Sequence, residues 1–254
     1  KLVGVEETKN VNEKILSSMM VGRDVLFDNM DKTGTPGDVL IEAKNLYAVD
    51  NRGLLAVKGL DFQIRAGEIL GVAAIEGNGQ SELLEAITGL RKIEDGEVLV
   101  QGTVINGMNP GQVRKLGLAH IPEDRIATGI APPSSVKDNL IIGKERDSMF
   151  AKWGIQLKKS TIARYAKELS EKFDVRGAGI EAQVGSLSGG NMQKVVVARE
   201  FSFNTPVLII AQPTRGVDIG AIEFIHRNII EKRNSGCAIL LVSADLDEIF
   251  RLSD

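Results

Sequence analysis

Leu187-Ser-Gly-Gly-Asn-Met-Gln-Lys194, continued by Val-Val-Val-Ala-Arg-Glu200, the run Pro206-Val-Leu-Ile-Ile-Ala211 and Gln212-Pro-Thr-Arg-Gly-Val-Asp218, decides the fold of this 254-residue chain. Ser188 and two glycines ahead of an apolar-rich stretch read as a helix start. Val207 to Ala211 is short and wholly apolar, which suits a strand buried on both faces of a parallel sheet. Gln-Pro-Thr-Arg-Gly is turn chemistry, and a helix follows from about 221 to 233. Ala238 to Val242 reads as another buried strand, and Glu68-Ile-Leu-Gly-Val-Ala-Ala74 as a third. Glycines 77 and 79 then lead into a helix over 81–89 that stops at Gly89. Val39-Leu-Ile41 and Leu60-Asp-Phe-Gln-Ile64 have strand character, and 161–173 carries an amphipathic helix period. Strands alternating with helices, interrupted by a helical insertion over about 122–190, predict an α/β fold with a largely parallel sheet.

Composition narrows the functions. Lys and Arg number 31 against 34 Asp and Glu, a net charge of −3, so there is no basic excess to hold a phosphodiester backbone. No apolar run reaches the ~18 residues of a membrane span, and residues 1–9 lack a signal-peptide core. Cys237 is the one cysteine, within an apolar run, and reads as a core side chain. There is no His/Cys cluster of a kind that holds structural metal. Glycine is 27 of 254 residues, above a usual ~7%, while aromatics are only 4%. Such a surplus means many turns, or backbone that something must approach closely. Residues 1–36 differ from the rest. Asp31-Lys-Thr-Gly-Thr-Pro-Gly37 reads as linker, and the start without Met and the end at Asp254 read as a fragment of something longer.

The turn Ala74-Ile-Glu-Gly-Asn-Gly-Gln-Ser81 has the layout of a phosphate loop. Such a loop wraps a phosphate with backbone N–H groups at a helix N-terminus, adds a Lys for the terminal phosphates, and holds Mg²⁺ with Ser or Thr. Gly77, Asn78, Gly79 and Ser81 fit it. Gln80 stands where the lysine belongs, Ala74 replaces the first glycine, and Glu76 puts an opposing charge in the loop.

Phosphate loop, Leu187-Ser-Gly-Gly-Asn191 helix, apolar strand and Pro213-Thr-Arg-Gly-Val-Asp218, in that order, closely resemble the ATP-binding cassette (ABC) domain over about residues 38–254. The resemblance implies a P-loop NTPase core of ABC type, with an antiparallel β part on the N-terminal side. It implies 1–36 as a connector from a preceding ATPase half and 37–254 as the ABC domain, truncated at its C-terminus. In that family two domains sandwich two ATP molecules, each between the phosphate loop of one and the signature of the other. The cofactors it implies are therefore ATP, at Gly77, Asn78, Gly79, Gln80 and Ser81, and Mg²⁺ through Ser81.

Several family positions are replaced here. The Mg²⁺-holding aspartate is Ala211, the water-activating carboxylate is Gln212, the switch histidine is Ala244 and the lysine is Gln80. The glutamine before the helical insertion is Glu123, and the adenine-stacking aromatic falls near Asp50, with Tyr47 the nearest candidate. A general base alone is worth roughly 10²–10⁴ in rate, and an amide cannot accept the proton. The signature residues Leu187, Ser188, Gly189, Gly190 and Asn191 remain, as does Asp218. The expectation is a domain inactive at its own phosphate loop that lends its signature to a partner.

Met20-Val-Gly-Arg23, Pro122-Glu-Asp-Arg125 and Ala211-Gln-Pro-Thr-Arg-Gly216 are similar to one subgroup, the second, degenerate half of tandem ATPases of bacterial simple-sugar and nucleoside importers. Glu223-Phe-Ile-His-Arg227 leans toward the nucleoside branch. This implies as partners another ABC half in the same polypeptide and transmembrane permease subunits, with no nucleic acid, at the cytoplasmic face of the inner membrane. Coupling would run through the 122–129 loop, with Arg125 as its main candidate. The competing readings are a self-sufficient ABC ATPase and a soluble ABC protein outside transport. His120 and His226 read as structural, and Trp153 as the anchor of a loop.

Overall fold

The computed structural model describes residues 3–12, 15–16, 18–19, 31–75 and 77–254. Met20 to Arg23 and Glu76 lie outside the described residues.

Strands β1 (Val39–Val49) and β2 (Leu55–Arg65) pair as an antiparallel hairpin. β3 (Ile69–Ala73) feeds the glycine turn and helix α1 (Gln80–Ile87). β4 (Asp95–Val100) and β5 (Thr103–Val104) return to complete an antiparallel sheet in the order β2-β1-β4-β5. After α2 (Pro110–Lys115) and β6 (Leu118–Ile121) the chain passes one π-turn, Arg125–Gly129, and enters the insertion. The insertion holds α3 (Val136–Leu140), the two-stranded hairpin of β7 (Ala151–Lys152) and β8 (Gln156–Leu157), and α4 (Lys159–Lys172). Helix α5 (Gly189–Phe201), β9 (Val207–Ala211), α6 (Ile219–Asn234), β10 (Ala238–Ser243) and α7 (Leu246–Leu252) finish the chain. β3, β10, β9 and β6 form an all-parallel sheet in that order.

The continuous apolar runs have a simple cause. Val207, Ile209, Ala238, Leu240 and Val242 face one core, shared with α1 and the antiparallel sheet. Leu208, Ile210, Ile239 and Leu241 alternate with them and face a second core, built from α5, α6 and the helices of the insertion. Both faces of β9 and β10 are covered, so the strands are apolar up to Ser243, the buried last residue of β10, whose hydroxyl accepts the Asp245 N–H. The insertion shares this second core through Val136, Leu140, Ala166 and Leu169, so it is packed into the body, and it adds a small apolar cluster of its own from Ile141, Phe150 and Ile162.

Three expectations are corrected. β3 is an edge strand of which only Ile69 is fully buried, so its apolar run covers less than the doubly buried strand expected from sequence. The 122–190 insertion is not helical throughout, because β7 and β8 interrupt it. Trp153 anchors nothing: it is 82% exposed, while Phe150 at 1% fixes that loop. The end of the linker is also docked, since Asn234 accepts from the Thr33 N–H at 3.0 Å and donates to the Asp31 carbonyl at 2.9 Å. Cys237 is buried, and burial pushes its thiol pKa up to about 12, which keeps it protonated.

Candidate functional site

The phosphate loop is built by a left-handed turn into α1. Gly79 is the N-cap residue, with φ +94°, and a Cβ there would lie 2.4 Å from the Ala56 carbonyl oxygen of β2. Only glycine meets both demands. Gln80 then folds back. Its Oε1 accepts the Asn78 N–H at 3.0 Å and its Nε2 donates to the Ile75 carbonyl at 2.9 Å. Asn78 Nδ2 donates to the same carbonyl at 3.1 Å. The Gln80 side chain is buried by this arrangement, whereas Ser81 is exposed. A backbone donor that a phosphate loop offers to an anion is thus taken by the loop's own amide.

At the end of β9, Ala211 is buried and offers no ligand atom. Gln212 has φ +47° and its N–H donates to the Val242 carbonyl at 2.8 Å. Its Oε1 accepts the Ala244 N–H at 3.2 Å. The structure therefore brings the two replaced positions, Gln212 and Ala244, into direct contact.

The signature starts α5. Ser188 is the N-cap, accepting from the Asn191 N–H at 3.5 Å and from Asn191 Nδ2 at 2.9 Å, while Leu187 is buried in the core. A Cβ on Gly189 would meet Arg125 Nη2 at 2.8 Å, and one on Gly190 would meet Asp218 Oδ2 at 3.3 Å. Asp218 caps α6 through the Ala221 N–H at 2.9 Å. Arg125 Nη1 donates to the Arg215 carbonyl at 2.8 Å, and Arg215 pairs with Glu123 at 2.8 Å. The signature, the 122–125 loop and the Pro-Thr-Arg-Gly turn thus meet in one network.

A cleft of about 1000 Å³ separates this network from the phosphate loop, with Gly77, Gln80 and Ser81 on one wall and Glu123, Arg125 and Arg215 on the other. Ser188, Gly189 and Gly190 are not among its lining residues; Ser188 faces outward. Within one chain the phosphate loop and the signature do not share a pocket.

A model of the ABC transporter family matches residues 57–215. The chain belongs to the ABC transporter family. Among its relatives, the nucleoside import ATP-binding protein NupA of Lactococcus lactis is 42% identical over 254 residues, all of this chain and 50% of that protein. The guanosine import ATP-binding protein NupO of Bacillus subtilis is 38% identical over 98% of this chain and 48% of its own length. A glucose import ATP-binding protein of Haloferax volcanii is 41% identical over 99% and 46%. The chain therefore spans about half the length of the curated relatives it matches. A dimeric cassette in a post-hydrolysis state bound to ADP and phosphate superposes with a TM-score of 0.70, at 20% identity, over 84% of this chain and 91% of that one. A nucleotide-free cassette from an ABC transporter gives 0.68 at 21% over 85% and 86%. The fold of this ABC domain is thus that of the P-loop ATPases, α/β with a parallel sheet and an antiparallel part.

Other sequence-named positions in the ABC domain have local work. Asp50 accepts the N–H groups of Arg52 and Leu54, both within 3 Å, and so ties the β1–β2 turn. The Tyr47 hydroxyl lies over Gly59 of β2, and Tyr47 does not line the cleft. His226 Nε2 meets Glu248 Oε1 at 2.8 Å and joins α6 to α7. His120 lines the cleft floor, and burial lowers its pKa to about 4, so it is neutral near pH 7.

Sequence reasoning missed the floor of the cleft. Glu200 holds Arg114 and Arg199, each at 2.7 Å, and Glu200 and Arg199 are almost fully buried. Arg114 also stacks 4.1 Å over the Phe203 ring. Two adjacent charges at the end of the apolar stretch Val195-Val-Val-Ala198 were the available signal, since such residues are seldom buried unless paired.

The residues fit bound nucleotide in part. Ser81 is placed to hold a cation and the loop backbone could embrace a phosphate, but no carboxylate ends β9, no lysine enters the loop, and Gln80 occupies one donor. That set does not fit a tightly held, hydrolysable Mg²⁺–ATP.

Proposed function

We propose that this chain is the second, degenerate ATP-binding half of an importer ATPase for simple sugars or nucleosides, with a phosphate-loop site that does not hydrolyse. The observation that carries this is the pairing of replaced groups. Gln80 closes on its own loop, and Gln212 bonds the Ala244 backbone where the family has a base and a histidine. A phosphoryl transfer needs charge neutralisation at the terminal phosphate and an oriented water, and each has lost its side chain here.

The intact signature supports the second half of the proposal. Ser188 presents an outward hydroxyl at the N-terminus of α5, with Gly189 and Gly190 behind it, a donor set suited to a terminal phosphate. Leu187, Ser188, Gly189, Gly190 and Asn191 would complete a nucleotide site on another ATPase half of the same polypeptide. Gly77, Asn78, Gly79 and Ser81 would hold nucleotide weakly and without cleavage. The Glu123–Arg215–Arg125 network ties the 122–129 loop to the Pro-Thr-Arg-Gly turn, and through that loop permease subunits on the cytoplasmic side of the membrane would be coupled. The lean toward the nucleoside branch rests on Glu223-Phe-Ile-His-Arg227 and the Ala211–Gly216 stretch, since a nucleoside import protein at 42% identity and a glucose import protein at 41% do not separate the two.

The test is the ATPase rate of an intact ABC half with permease, measured with this chain, without it, and with its Ser188→Arg form. Stimulation that the arginine abolishes is the expected result, and an unchanged rate would refute the shared site. Separately, Mg²⁺-dependent turnover by the chain alone would overturn the inactive site.

A further inference from the structure

The hairpin between α3 and α4 has a tip that the nucleotide chemistry does not use. Ala151 pairs with Leu157 and Lys152 with Gln156, so Trp153, Gly154 and Ile155 form the turn. Trp153 is 82% exposed and Ile155 87%, with Met149 and Leu157 half exposed beside them. The base is rigid: Phe150 is buried against Ile141 and Ile162, and its ring meets Tyr165 edge-on at 4.8 Å.

Two observations point outward from this tip. Trp153 has φ +56° and Gly154 φ +70°. Asparagine or glycine would sit there without strain, whereas a bulky side chain is strained and also gains nothing from burial. Strain of this kind persists only where the surrounding structure over-determines it, and it clusters at functional sites. Secondly, the tip is basic in a chain of net charge −3. Arg146, Lys152, Lys158 and Lys159 are exposed along this segment; Lys158 Nζ donates to the Ser148 carbonyl at 2.8 Å, and Lys152 Nζ lies 4.5 Å from the Trp153 ring centroid. The only acids between 144 and 159, Glu145 and Asp147, turn onto the Gly143 and Met149 N–H groups, both at 2.9 Å.

We propose that the Trp153–Ile155 tip is a membrane-surface contact. Its apolar side chains enter the headgroup region of an anionic bilayer while the four basic side chains meet lipid phosphates. The tip is convex and narrow, and tryptophan flanked by lysine is the pairing favoured where an apolar ring must sit against charged headgroups. A few apolar side chains with four charges give a reversible attachment, not an anchor. This proposal draws nothing from the reading of the nucleotide site, so either can fail alone.

Trp153 is the single tryptophan of the chain and reports on its own environment. The experiment titrates the 254-residue chain with vesicles of phosphatidylcholine alone and with added phosphatidylglycerol. The expected result is a blue shift and quenching by acyl-brominated lipid with the anionic vesicles only, reversed by ~0.5 M salt. In sedimentation with the same vesicles, Trp153→Ser/Ile155→Ser and Arg146→Glu/Lys152→Glu should each lower the bound fraction roughly fivefold or more. Melting temperatures should stay unchanged, because these side chains are exposed. No shift with any vesicle would overturn the proposal. So would a shift seen only when the membrane contains protein and unaffected by brominated lipid, which would assign the tip to a protein pocket.

Discussion

Gln212 and Ala244 are joined by a hydrogen bond of 3.2 Å from the Ala244 N–H to Gln212 Oε1. The bond spans the ends of two adjacent parallel strands, β9 and β10, the positions at which we propose that a catalytic carboxylate and a histidine have been replaced. A neutral amide there serves the backbone and is not available to orient water. Gln212→Glu alone should leave ATP turnover at background, because Gln80, Ala211 and Ala244 remain. The combination Gln80→Lys, Ala211→Asp, Gln212→Glu and Ala244→His should raise Mg²⁺-dependent phosphate release by at least the roughly 10²-fold a positioned base contributes. Phosphate release assays on the two proteins decide it.

Gln80 spends its amide on Asn78 and Ile75, so replacing it changes nucleotide affinity directly. Gln80→Lys should tighten ATP by about tenfold or more, the worth of one charge-assisted hydrogen bond. Gln80→Ala frees the Asn78 N–H without adding charge and should change affinity less. Titration of a fluorescent ATP analogue without Mg²⁺ separates the two, and equal affinities for all three proteins would contradict the closed loop.

Glu200 sits between Arg114 and Arg199 with 1% of its side chain exposed. Removing its charge leaves two guanidinium groups without a counter-ion. Glu200→Gln should destabilise the fold by about 3 kcal/mol or more, a fall in Tm of roughly 6–12 °C for a domain of this size. Thermal unfolding by circular dichroism reads this out.

His120 titrates at about 4 in the fold, because burial opposes its charge. In the unfolded chain it titrates near 6.5. Below pH 6.5 the unfolded state takes up a proton that the fold refuses, so stability is complete above that pH and is lost as pH falls from about 6.5 to about 4. With one edge of the ring facing the cleft, the loss should be about 2–3 kcal/mol. His120→Asn should flatten this part of the stability–pH curve, as measured by urea unfolding at pH 7.5, 6.0 and 4.5.

The sequence by itself determined the α/β class and the order of the elements that build the parallel core, while β4–β6, the β7–β8 hairpin and the short helices α2, α3 and α7 carried no pattern strong enough to read. β9 and β10 were legible because both faces of a central parallel strand are covered, which forces an unbroken apolar run. The start of α5 was legible because Ser188 caps it through an N–H group three residues on, so the signal is local, whereas α6 begins at Ile219, capped by Asp218, two residues before the start expected from sequence. The identities of Gln80, Ala211, Gln212 and Ala244, on which the proposal of an inactive site rests, were likewise visible.

What those residues do instead was decided only by the tertiary structure. An amide donates and accepts equally well to water, ligand or backbone, and Gln80 and Gln212 chose backbone because the turn and the neighbouring strand bring it within 3.2 Å. Arg114 and Glu200 lie far apart in sequence and meet only when α2 and α5 pack beside β6. Trp153 read as the anchor of a loop, but the hairpin register places it at the exposed tip and the buried Phe150 fills that role. Long-range packing sets which of several equivalent partners a polar or aromatic side chain reaches, and no local pattern of residues encodes that choice.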